Sequence, residues 1–172
     1  MNWKLFIEGF LEAYHLRVTH RKTFARVVFD NLALHDAYGP HSRTIYPLRK
    51  VEQFAGTDLT ECTARPSLSF IYHVFPNSIL AVEPHHVAML TAVPLDVATT
   101  RIRHVALATP EKLHRPDLLD QDVALLKAGL LEDYAIAESI QAGLASDANQ
   151  HFTFGLFEGM LTHFHRALAD TL

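Results

Sequence analysis

The chain has 172 residues, 49% apolar and 20% charged, and carries a net charge of −4 with its 12 histidines neutral. That is enough for one domain with a buried core, and no basic run exceeds Arg21-Lys22, which argues against nucleic acid as a partner. Cys62 is the only cysteine, so no disulfide framework or cysteine-held cluster can form within the chain, as in a reducing cytoplasm. No apolar run approaches the roughly 18 residues of a membrane span, and no signal-peptide order is present at the start.

From Trp3 to Tyr14 the apolar residues Trp3, Phe6, Ile7, Phe10, Leu11 and Tyr14 recur at intervals of three and four, which predicts a helix with one buried face. Tyr14 and Trp3 are expected in the core. Thr23 to Asp30, with Phe24, Val27, Val28 and Phe29, reads as a strand. Asp36 to Pro47 carries Gly and Pro punctuation and reads as a loop or an edge strand near a site. Ser67 to Phe75 alternates over Leu68, Phe70 and Tyr72, a turn follows at Pro76-Asn77, and Ser78 to Glu83, Val87 to Val93 and Arg101 to Ala108 supply three more strands. Turns rather than helices separate them, so the sheet is an antiparallel meander. A long helix is predicted from about Asp117 to Ala145, and another amphipathic stretch runs from Gly155 to Leu172.

On the long helix Leu126, Leu130, Asp133, Ala137, Ile140 and Leu144 form one stripe. Asp133 is its only charged member, and a carboxylate on an apolar stripe is costly without a compensating partner. Near the N-terminus Glu12 and His15 are three apart and would share a helix face. His20 lies roughly 140° around from His15 on a regular helix, so both imidazoles reach one ion only if the helix ends or distorts just after His15. The β-branched pair Val18 and Thr19 favours such a break. Two imidazoles and a carboxylate on one face of an ion leave open positions, the arrangement of non-haem Fe(II) oxygenases. His15, His20 and Asp133 are the candidate ligands, although their spacing does not name the metal. Glu132, next to Asp133, is expected to face water, and His85 and His86 are expected to be loop residues away from the site.

Asn2-Trp3-Lys4, Glu8 to His15 and then His20 closely resemble the start of the catalytic domain of Rieske-type aromatic-ring-hydroxylating oxygenases, alpha subunit. Phe75 to Leu80 and Pro94-Leu95-Asp96 resemble the sheet of that family. Glu132-Asp133-Tyr134 with Glu138, Gln141, Gly143 and Leu144 resembles its long helix, and Phe157-Glu158 to Phe164-His165-Arg166 its close. The resemblance implies an α+β helix-grip fold (START-like or Bet v1-like), an antiparallel sheet wrapped around a long C-terminal helix, over a single catalytic domain spanning 1–172. It implies mononuclear Fe(II) held by His15, His20 and Asp133, and O2-dependent hydroxylation of an aromatic or other apolar small molecule. Glu12 takes the position at which the family passes electrons from a Rieske cluster in a neighbouring subunit, and its place beside a metal-bound His also suits a group that orients that ring.

Two departures accompany the resemblance. The two-Cys, two-His Rieske module is expected to be absent from this chain, so its [2Fe-2S] cluster would be external and electrons would come from a Rieske protein or ferredoxin and a reductase. Gly9 stands where the family usually has Asn. A helix-grip module that binds an apolar ligand without redox chemistry is the competing reading, and a zinc hydrolase on the same ligands is a third. A weak oligomer or a monomer is expected.

Overall fold

The computed structural model describes every residue except Asp30, Asn31, Leu59, Glu61, Ala64, Asp147, Gln150 and Leu172. The ends of two predicted segments, at Asp30 and Leu172, and part of the polar stretch 50–65 therefore lie outside the described residues. Six strands, β1 Leu34–Tyr38, β2 His41–Pro47, β3 Leu68–Val74, β4 Ser78–Val82, β5 Val87–Pro94 and β6 Thr100–Leu107, pair in sequence order as one antiparallel sheet. Among the described residues five α-helices accompany it: α1 Trp3–Phe10, α2 Leu16–Thr19, α3 Pro110–Leu113, α4 Pro116–Leu144 and α5 Gly159–Thr171. The architecture is the α+β sheet and long helix expected, with α4 followed by the shorter α5.

Except between β2 and β3, the connections within the sheet are too short for a crossover, so those strands pair as hairpins. Gly39, at φ 57°, supplies the left-handed residue of the β1–β2 turn. The β3–β4 connection contains a cis Phe75–Pro76 bond, and Asn77 Nδ2 donates to the Ala92 carbonyl on β5 at 2.8 Å, tying that turn to the next strand but one. α1 lies between α4 and the sheet, touching α4 on one side and β3, β4 and β5 on the other. Its Phe6, Ile7 and Leu11 join Ile79, Ala81, Ala88 and Leu90 in the core. Small residues at 81 and 88 let the helix approach closely. Phe164 of α5 is fully buried and meets the rings of Trp3, His73 and Phe75 edge-on at 6.1, 5.2 and 6.5 Å, so the last helix closes the same core.

Several sequence expectations are corrected. The segment 23–29 is not a strand: Phe24–Arg26 forms a single 3-10 turn, and Val28 makes only an isolated bridge to Leu48. Phe24 is spent instead on an edge contact with the His20 ring at 5.0 Å. The alternation of Leu68, Phe70 and Tyr72 does not mark the buried face of β3: Ser69, Ile71 and His73 are the buried set, while Phe70 and Tyr72 stack on each other at 6.5 Å on the other face. Tyr14 is about half exposed, and the α4 stripe is buried at Leu126, Leu130 and Ala137 but open at Ile140 and Leu144.

Candidate metal centre

The helix expected to carry Glu12 and His15 stops earlier than its periodicity indicates. α1 ends at Phe10, directly after Gly9, with the Leu11 N–H bonded to the Glu8 carbonyl at 3.0 Å. Glycine's conformational freedom makes it a poor residue at which to continue a helix. The chain then turns through residues 11–15, and α2 occupies a single turn with His15 at its N-cap and His20 at its C-cap. The break therefore precedes His15, and a second one, after Thr19, releases His20 from helical geometry (ψ 34°). Two histidines five apart come together in this way, with ring centroids 5.0 Å apart.

The turn is held from several directions. The Glu12 carboxylate accepts the backbone N–H of Tyr14 and, at 3.2 Å, that of His15, and its Oε1 accepts the His15 Nδ1 proton. Buried Tyr46, on β2, donates its hydroxyl to the Glu12 carbonyl at 3.1 Å. Burial, followed by the nearby Glu12 charge, pushes the Tyr46 pKa up, so this hydroxyl keeps its proton.

On α4, Glu132 and Asp133 both turn toward the histidines. Glu132, expected in water, accepts from His20 Nδ1 at 2.8 Å and from the Thr23 hydroxyl at 2.6 Å. Burial works to raise its pKa, but these bonds from Thr23 and His20 outweigh it and leave the carboxyl below its ordinary value. Asp133 Oδ1 lies 3.0 Å from His20 Nε2 and 3.7 Å from His15 Nε2. One ligand-capable atom from each of His15, His20 and Asp133 falls within 4.8 Å of the others. The His20 side chain is buried, while those of His15 and Asp133 are partly exposed.

The donor bookkeeping of this cluster decides what it can do. A carboxylate only accepts, so each Nδ1 that faces one carries the proton, and each Nε2 is left with a lone pair. Three lone pairs, two from nitrogen and one from Asp133, then converge on one point. That arrangement is repulsive unless a cation sits among them. In the metal-free chain a proton is the available cation. Accordingly, burial lowers the His20 pKa, but hydrogen bonding and charge from Asp133 and Glu132 prevail and hold it above the ordinary value. The donor set, two imidazoles with carboxylate-backed Nδ1 atoms and one carboxylate, fits a divalent transition metal with open positions.

A cavity of about 500 Å³ opens from the cluster. Leu16, Phe24, Val28, Ile71, Leu118 and Leu126 give it largely apolar walls. Gly9 lines it too, and a Cβ added there meets nothing within 4 Å, so the space for a side chain at this position is open. His85 also lines it, and the His86 side chain is fully buried with Nδ1 donating to Asp122 at 3.1 Å. The pair is thus in a loop, as expected, but His85 is built into the cavity wall and His86 is bonded to Asp122 behind it. A smaller cavity, of about 230 Å³, reaches Glu12, His15 and Asp133 from the side of Leu5, Ile136 and Ile140.

Comparison with known proteins places this arrangement. No curated protein matches the chain. Among solved structures, the quaternary ammonium Rieske monooxygenase CntA with a bound inhibitor superposes with a TM-score of 0.71 at 19% identity, covering 98% of this chain and 46% of that one. A second structure, described for carnitine oxidation by gut microbiota and inter-subunit electron transfer, gives 0.67 at 18%, covering 98% and 47%. The complex of CntA with L-carnitine gives 0.64 at 18%, covering 98% and 45%. The chain thus spans less than half the length of these proteins, and at such identity the likeness establishes the fold. The family model of the ring hydroxylating alpha subunit, catalytic domain, matches residues 1–172. With that match over its whole length, the chain belongs to the ring-hydroxylating alpha-subunit family and represents its catalytic domain.

Proposed function

We propose that this chain is the catalytic domain of a mononuclear non-haem iron oxygenase that hydroxylates an apolar small molecule with O2. The observation that carries the reading is the convergence of one ligand-capable atom from each of His15, His20 and Asp133 in the lining of a largely apolar cavity. These three residues would hold Fe(II), and the bound iron would supply the one-electron chemistry that activates dioxygen. Family membership favours iron over zinc for this donor set.

The chain's own residues then have separate tasks. Glu12 and Glu132 keep the His15 and His20 protons on Nδ1, so that both Nε2 atoms stay available. The apolar walls hold the substrate and limit water near the reacting carbon. Glu12, beneath the exposed Tyr14 turn, lies where an external donor would meet the chain. Hydroxylation of R–H by O2 to R–OH and water consumes two electrons and two protons. Cys62, as the sole cysteine, cannot hold a two-Cys, two-His cluster, so within these residues no group supplies the electrons. They would come from a Rieske-type cluster and a reductase outside these residues.

The test is reconstitution. The Fe(II)-loaded chain, a ferredoxin, a reductase and a panel of small aromatic compounds are combined under 18O2. Label in a hydroxylated product, lost in the Asp133→Ala variant, is the expected result. Binding of the compounds without labelled product under any donor would favour the non-redox binding module instead.

A further inference from the structure

The cavity has a second polar end that the metal reading leaves unused. Asp122 and Asp133 lie on nearly the same face of α4, separated by about three turns and about 16 Å along the axis. Both line the cavity. Asp122 marks the far end, where its carboxylate accepts the His85 N–H and His86 Nδ1, each at 3.1 Å. Beside it Glu83, at the end of β4, also lines the cavity. Its backbone N–H is bonded to the His86 carbonyl at 2.9 Å, and its Oε1 accepts the hydroxyl of buried Ser69 at 2.9 Å. Among the described residues Oε2 has no hydrogen-bond partner, and the guanidinium of Arg65 is directed to the Glu83 main-chain carbonyl rather than to the carboxyl.

Resting on the oxygenase reading, we propose that Glu83 is the specificity-determining residue of the cavity, its Oε2 receiving an N–H of a protonated primary or secondary amine whose apolar body extends toward Asp133. Asp122 adds negative potential to the same end, while the cationic lining residues Arg26, Arg49 and Lys50 are exposed to solvent. Burial, with the neighbouring Asp122 charge acting the same way, pushes the Glu83 pKa up against the Ser69 hydrogen bond. A cation is therefore the ligand that this carboxyl gains most from. Allowing one hydrogen-bond length at the head and a similar gap before Asp133, the space suits a body of about 10 Å, the size of a ring with a short alkyl chain.

The experiment compares phenylbutylamine with phenylbutanol, which differ only at the head, by titration calorimetry on the whole chain. Burying a charge-assisted hydrogen bond is expected to make the amine bind about tenfold tighter. Glu83→Gln, nearly isosteric, should bring the two to within about threefold while leaving the alcohol unchanged. Ser69→Ala, which frees the carboxyl to rotate, should reduce the preference without abolishing it and serves if Glu83→Gln does not fold. The same titration on His15→Ala separates this claim from the metal reading, because head-group preference there should persist whether or not iron is held. Equal affinity for both compounds, a preference unchanged in Glu83→Gln, or its loss in His15→Ala would overturn the proposal.

Discussion

At the level of single residues, Glu132 is the clearest gain over the sequence. Adjacent acids on a helix point about 100° apart, so Asp133 on the stripe implied that Glu132 faced solvent. What reverses this is the placement of His20 and Thr23 on the flank of α4, where Glu132 reaches both. No periodicity in α4 encodes that, since the partners come from more than 100 residues away. If the carboxylate orients His20, Glu132→Ala should weaken Fe(II) binding by about 10- to 100-fold, read from equilibrium titration, with partial recovery in Glu132→Gln. Unchanged affinity would leave Glu132 with a structural role only.

His73 shows the opposite electrostatic case. It is buried on β3 and donates Nε2 to the Pro76 carbonyl at 3.2 Å. Burial lowers its pKa, against that hydrogen bond. A folded-state pKa below the unfolded value means the unfolded chain takes up the proton first. Its contribution to stability is therefore full above about pH 6.5 and is lost as the pH falls from there through the depressed value. His73→Gln, which keeps a donor but does not titrate, should flatten part of the acid-side loss of thermal stability. Equal pH slopes in both proteins would contradict this.

At the level of elements, β3 to β6, the two amphipathic helices and the long helix were legible because each carries its own period, 2 or about 3.6, whereas β1 and β2 fall largely in a stretch whose Gly and Pro punctuation marks it as a loop or an edge strand. What escaped is what other elements impose. The ends of α1 and α2 are set by Gly9, by the Glu12 turn and by Tyr46 across from β2. The apolar alternation in β3 does not reveal its phase because the buried face is largely polar, with Ser69 and His73 serving Glu83 and the Pro76 turn. The segment after His20 is apolar because Phe24 packs on His20 and against α4, not because it is a strand. Gly129 of α4 makes that contact possible, as an added Cβ would come within 2.1 Å of the Phe24 ring. Gly129→Ala should therefore destabilise the chain by about 1–3 kcal/mol, despite the roughly 1 kcal/mol gain in helix propensity. It should also weaken iron binding by disturbing Phe24 against His20. Thermal unfolding and metal titration of the same variant check both, and a stabilised protein would show that Phe24 moves aside freely.

For the whole molecule, the order of the sheet and the family resemblance agree, and the family model's match over residues 1–172 establishes that agreement. The far polar end of the cavity was not legible, because Ser69, the Glu83–His86 connection and Asp122 lie in three different segments that only the closed fold assembles. The same closure sets α1 between sheet and helix, so the histidines at its exit face Asp133 across the cavity mouth. The metal assignment therefore depends on the tertiary fold as a unit and not on any local motif.

Iron content measures this most directly. The chain is prepared without added metal, loaded anaerobically with Fe(II), freed of excess and analysed by elemental spectroscopy, alongside His15→Ala, His20→Ala and Asp133→Ala variants shown by circular dichroism to be folded. The account predicts about one iron per unaltered chain, the stoichiometry of a mononuclear site, and loss of most of it in each variant. Iron retained in full by a folded double variant lacking both His15 and His20 would contradict it.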